Sequence, residues 1–107
     1  MHRVLIVLAL TSTVMSTGIQ AEELLGDVAA GGRLAEDVCS ACHVVAPGGE
    51  AMDEVGAPAF PDLANQLGVT AFSLRVFLQT PHHRMPDFRL DHDETDNVVA
   101  YILSLSS

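Results

Sequence analysis

The apolar positions change their pattern several times along the chain, and each change marks a predicted element. First comes an unbroken run, Val4 to Leu10 ("VLIVLAL"), behind Arg3 and ahead of a Ser/Thr/Gly-rich stretch that ends at Ala21. From Glu23 to Val38 the apolar residues Leu24, Leu25, Val28, Leu34 and Val38 recur at a rough helical period among good helix formers. A first helix is expected there, running straight into Cys39. Gly31 and Gly32 lie inside it, where each costs about 1 kcal/mol relative to Ala, so that helix needs a close backbone approach.

After His43 the periodicity vanishes. Pro47, Gly48, Gly49, Gly56, Pro58 and Pro61 follow in quick succession, which excludes a long helix or a central strand. A short helix is predicted from Pro61 or Asp62 to Gln66, with Gly68 ending it. Thr70 reads as the N-cap of "AFSLRVFLQT", in which Leu74, Phe77 and Leu78 share one face. A second loop, "PHHRMPDFRL", is bounded by Pro81 and Pro86. Asp91 and Glu94 then form a capping-box pattern ahead of a closing helix with an apolar stripe at Val98, Val99, Tyr101, Ile102 and Leu105. No alternating run of β-branched residues appears, so the fold class expected is all-α, with three to four helices and long connecting loops. Long structureless loops are uncommon in a compact domain unless they are functional.

Composition narrows what such a domain can do. The chain has 107 residues, no Lys, and a formal net charge of −9. Nucleic-acid binding by phosphate neutralisation is excluded on that balance, and a charged partner is expected to be basic. The opening segment has the layout of a secretory signal peptide, residues 1–21, cut after Ala21. The mature domain is then 22–107, with fourteen acidic residues against four arginines, for a formal charge of −10. Ile19 departs from the small residue preferred near a cleavage site, so an uncleaved membrane anchor is the alternative. Export places the chain in the periplasm and lets a small core rely on something besides apolar burial.

The sequence "CSACH", Cys39 to His43, holds both cysteines. C-x-x-C-H is the attachment pattern for covalent haem: two thiols spaced for the two vinyl groups, with the adjoining imidazole placed as an axial ligand of the iron. A redox C-x-x-C expects a βαβ setting that is missing here. A disulfide leaves His43 without a role, and a zinc site would need His82 and His83 as further ligands. For the sixth position on the iron the candidate is Met85, in a Pro-bounded loop and outside any apolar helical stripe. Met52 is a weaker rival. His82 and His83 are stronger ones.

From about Val28 to Leu105 the chain resembles a small bacterial class I cytochrome c with a single haem. Three stretches carry the resemblance: "GGRLAEDVCSACH", "HHRMPDF" and "TDNVVAYILSL". It implies one haem c bound covalently through Cys39 and Cys42, with His43 and Met85 on the iron. It also implies that the first and last helices cross in close contact, Gly31 meeting Tyr101 and Val98. A proline carbonyl is expected to accept a hydrogen bond from the proximal histidine; Pro58 is the better match and Pro47 the alternative. Leu74, Phe77, Phe60 and Phe88 are the expected pocket walls. The function implied is single-electron transfer in the periplasm between redox partner proteins, with iron cycling between Fe(II) and Fe(III). The alternative is a haem-bearing subunit of a periplasmic dehydrogenase or other oxidoreductase complex, docked permanently. A ligand sensor or peroxidase-like enzyme has least support, because no residue is clearly placed as a distal acid or base.

Overall fold

Side-chain caps set where most of the helices begin. In the computed structural model, which describes residues 25–50, 56–81 and 84–107, the first helix, α1, spans Val28–Asp37. The Asp27 carboxylate accepts from the Ala30 amide at 2.9 Å, satisfying a donor that the first turn would leave unpaired. Just before it Gly26 has φ +120°, and a Cβ there would overlap the Asp96 backbone. The helix therefore starts after the predicted Glu23. Helix propensity alone does not register that turn.

A 3₁₀ turn, Cys39–Ala41, follows α1 after Val38. Helix α2 spans Phe60–Asn65, one residue ahead of the prediction, with Pro61 tolerated in its first turn. Helix α3 spans Ala71–Leu78 and ends before the predicted Thr80. Its cap is reciprocal: the Ser73 amide donates to Thr70 Oγ1 at 3.1 Å and the Thr70 amide donates to Ser73 Oγ at 2.8 Å. Helix α4 spans His92–Ser104 behind the expected capping box, in which the Glu94 amide donates to Asp91 Oδ1 at 2.8 Å and the Asp91 amide donates to Glu94 Oε2 at 2.9 Å. Asp93 and Glu94 also place negative charge at the positive end of the helix dipole. Among the described residues there is no strand, and the architecture is all-α. No helix among them is long and apolar enough to cross a membrane. The predicted signal peptide lies outside the described residues.

Helix α4 is the centre of the packing and touches α1, α2 and α3. Its Val98, Val99 and Ile102 are buried with Ala35 of α1, Val45, Phe60 of α2 and Leu74 of α3 in one apolar cluster. The closest approach is between α1 and α4. A Cβ on Gly31 would overlap the Asn97 carbonyl and come within 2.9 Å of Tyr101 Cβ. Gly31 thus meets Asn97 and Tyr101, and Val98 turns toward the cleft described below. The costly glycine is explained by this contact.

Polar links reinforce the same joints. The Asp27 amide donates to Asn97 Oδ1 at 2.7 Å, and Arg75 Nε donates to Asp96 Oδ1 at 2.6 Å between α3 and α4. Both side chains of that ion pair are mostly covered, so it is less screened than a free surface pair. The predicted inward face of α3 needs one correction. Leu74 is buried and Leu78 lines the cleft, but Phe77 is 52% exposed. The helix turns its Leu74/Leu78 seam inward and leaves Phe77 on the flank.

Candidate functional site

The end of α1 delivers the first cysteine, and the 3₁₀ turn delivers the rest of the motif. Val38 closes α1 by donating its amide to the Leu34 carbonyl at 2.9 Å. The amides of Cys42 and His43 both donate to the Cys39 carbonyl, at 3.1 and 2.9 Å. The tight turn is further held by the Ser40 hydroxyl, which donates to the Glu36 carbonyl. All five residues of "CSACH" therefore share one small rigid turn.

Cys39 and Cys42 are both half-buried and are not bonded to one another. Burial pushes the Cys39 thiol up from its ordinary value. Among the described residues there is no group of three or more His, Cys, Asp and Glu side chains of the kind that a zinc site needs. His82 and His83, the further ligands that a zinc site would need, lie outside the described residues, as does Met52.

His43 has a defined orientation. Its Nδ1 lies 2.7 Å from the carbonyl oxygen of Pro58, and that oxygen can only accept. Nδ1 therefore carries a proton, and in the neutral ring the lone pair sits on Nε2, which is the tautomer that binds a metal. The carbonyl is that of Pro58 and not of Pro47. The Phe60 ring packs beside the imidazole at a centroid distance of 5.2 Å and an interplanar angle of 47°. Phe60 is itself anchored, because its amide donates to the Val44 carbonyl at 2.9 Å. The segments on either side of the first loop are thus stitched together around the imidazole.

Met85 lines a shallow cleft together with Leu34, Val38, Cys39, Leu78, Phe88 and Val98. Its lining is largely apolar, as that of cofactor sites is. Cys39 and Met85, 46 positions apart in the chain, face the same cleft. Of the expected pocket walls, Phe88 lines it, Phe60 packs on His43, Leu74 belongs to the core, and Phe77 is on the flank. Leu34, Val38, Leu90 and Val98 are wall residues that sequence reasoning missed. Leu34 and Val38 carried a signal, since they precede Cys39 at helical spacing.

These residues fit a covalent haem. The Cys39 thiol and the Met85 thioether line one apolar cleft, and Cys42 and His43, the latter with one ring nitrogen fixed, sit on the turn that is hydrogen-bonded to the Cys39 carbonyl. The order of the donors along the chain leaves none of them idle.

Comparison with known proteins gives a consistent result. Residues 26–102 match the family model described as cytochrome C oxidase, cbb3-type, subunit III. Cytochrome c-552 of Bradyrhizobium diazoefficiens is 38% identical over 82 residues, covering 77% of this chain and 78% of that protein. Cytochrome c6 of a Synechococcus species is 29% identical over 110 residues, covering 100% of this chain and 96% of that protein. No solved structure matches the chain significantly.

Proposed function

The chain belongs to the cytochrome c family, with haem c as its covalent cofactor, and from that premise we propose that it carries single electrons between redox partner proteins in the periplasm. The bound haem supplies a one-electron couple between Fe(II) and Fe(III). Cys39 and Cys42 would hold it by thioether bonds, His43 would offer Nε2 to the iron, and Met85 would offer its sulfur. The single observation that carries this reading is the Nδ1 contact of His43 with Pro58, at 2.7 Å. It orients the ring and raises its basicity as a ligand.

The remaining residues make electron exchange cheap in structural terms. A site whose ligands are all supplied by the protein needs no ligand exchange when the charge changes. The turn at Cys39 to His43 and the packing of Phe60 restrict movement of one ligand. Apolar walls from Leu34, Val38, Leu78 and Val98 lower the polarity around the cofactor and disfavour the more highly charged oxidised state, so they raise the reduction potential. A thioether ligand acts in the same direction.

The leader, residues 1–21, directs export and is removed after Ala21, leaving 22–107 as the cytochrome domain; membrane attachment follows only if the leader is retained. The net charge of −9 favours a partner with a basic docking surface.

A second reading, in which the chain is the haem-bearing subunit of an oxidoreductase complex, is favoured by one face of α3. Phe72 and Val76, one turn apart, are 76% and 48% exposed. Such a pair suits an apolar docking contact with a permanent neighbour. The family model it matches is also that of an oxidase subunit.

The experiment that tests the carrier reading is a reversible redox titration of the purified holoprotein, run with and without carbon monoxide. A carrier titrates as one electron per chain, and its reduced form does not bind the gas. Gas binding to the resting reduced protein would point to ligand chemistry. Size-exclusion chromatography of a native extract separates the two readings, because a free carrier elutes at its own small size and a subunit elutes with its complex.

A further inference from the structure

Tyr101 makes two separate contacts from one position on α4. Its ring edge lies against Gly32 of α1, where a Cβ would stand 3.2 Å from ring carbons, and its Cβ lies against Gly31. Its hydroxyl donates to the Val45 carbonyl at 2.6 Å, across 56 positions of sequence. The ring contact belongs to helix packing. The hydroxyl contact reaches the segment that leaves the haem motif.

Val45 is buried and lies two residues after His43. The carbonyl just before it, that of Val44, receives the Phe60 amide, and the Phe60 ring packs on His43. Two residues before Phe60, the Pro58 carbonyl receives His43 Nδ1. Residues 43–45 and 58–60 therefore form a closed clamp around the imidazole. Tyr101 ties that clamp to the most buried helix of the fold.

We propose that Tyr101 is a positioning residue for His43, its hydroxyl fixing the Val45 carbonyl and thereby the backbone that sets the hydrogen bond between His43 and Pro58. The proposal rests on the reading of His43 as the iron ligand. A firm bond from Nδ1 to Pro58 makes the imidazole a stronger donor and favours Fe(III), which lowers the reduction potential. Removing the hydroxyl lets Val45 turn, loosens the clamp, weakens that bond and raises the potential.

The test compares holoprotein carrying Tyr101→Phe with the unmodified holoprotein and with an Asp91→Ala variant. The Phe variant keeps the ring against Gly32 and loses only the donor. Asp91→Ala removes a helix cap from α4 and serves as a control for lost stability. The expected result for Tyr101→Phe is a raised reduction potential together with faster solvent exchange of the His43 Nδ1 proton, by about tenfold, the size of one net hydrogen bond. Asp91→Ala is expected to lower the melting temperature and leave the potential and the exchange rate unchanged. A Tyr101→Phe protein with unchanged potential and exchange would overturn the proposal, as would an equal shift in Asp91→Ala. If the Phe variant does not accumulate, the Tyr101 hydroxyl proton is followed in the unmodified holoprotein; slow exchange supports the bond and fast exchange overturns it. Failure of the underlying ligand reading looks different. It would appear in the unmodified protein as an absence of iron-shifted His43 ring resonances.

Discussion

Nδ1 of His43 lies 2.7 Å from the carbonyl oxygen of Pro58, fifteen positions further along the chain. That contact fixes which nitrogen carries the proton and so which nitrogen is left for iron. The Nδ1 proton is expected to exchange slowly with solvent in the holoprotein, in both redox states. Nitrogen-resolved NMR in deuterated solvent checks it. A proton exchanging at the rate of a free imidazole would mean that Pro58 does not hold the ring.

The contact of Gly31 with Asn97 and Tyr101 reverses an ordinary helix rule. In an exposed helix Gly→Ala gains about 1 kcal/mol. Here Gly31→Ala drives a methyl into the Asn97 carbonyl, and overpacking of that kind costs about 1–3 kcal/mol. Gly32→Ala meets the edge of the Tyr101 ring at 3.2 Å, where a small ring shift makes room, so its effect is expected to be the milder of the two. Thermal unfolding of the two variants decides this. Equal stabilities would argue against the close crossing of α1 and α4.

Removing the caps gives a graded loss of stability. Asp91→Ala and Thr70→Ala each delete a side-chain acceptor at a helix start and are expected to cost about 1 kcal/mol. In a domain of this size that is a fall in melting temperature of about 4–8 °C. Both variants are expected to keep the haem spectrum unchanged, because neither cap touches the cleft.

Charge governs the encounter with a partner. With a net charge of −9 and a basic partner surface, the bimolecular rate of electron transfer is expected to fall as salt rises. Stopped-flow measurements across ionic strength test the sign. A rate that rises with salt would indicate an acidic partner, and a flat one would indicate apolar docking through a face such as Phe72 and Val76.

Local devices were the most legible part of the sequence. The caps at Thr70 and Asp91 and the C-x-x-C-H turn depend on residues a few positions apart, so short-range chemistry is enough to place them. Gly31 was legible for a different reason: a costly glycine in a helix demands a neighbour, and Tyr101 is there. What could not be read was set by long-range packing. Whether Phe77 or Leu78 turns inward depends on the angle at which α3 meets α4, and the ion pair of Arg75 with Asp96 takes part in setting that joint. The late start of α1 depends on the backbone at Gly26 lying against Asp96. The tie from Tyr101 to Val45 joins two elements with no shared sequence pattern.

The most direct measurement is the absorption spectrum of the purified holoprotein in both redox states, taken beside a Met85→Ala variant. The account predicts covalently held, low-spin haem in the unmodified protein and a long-wavelength sulfur-to-iron band in its oxidised form. In Met85→Ala that band is expected to disappear and the iron to become accessible to added ligands. A band and spin state unchanged by the substitution would contradict the assignment of Met85, and a protein without covalently bound haem, matured in a competent host, would contradict the account as a whole.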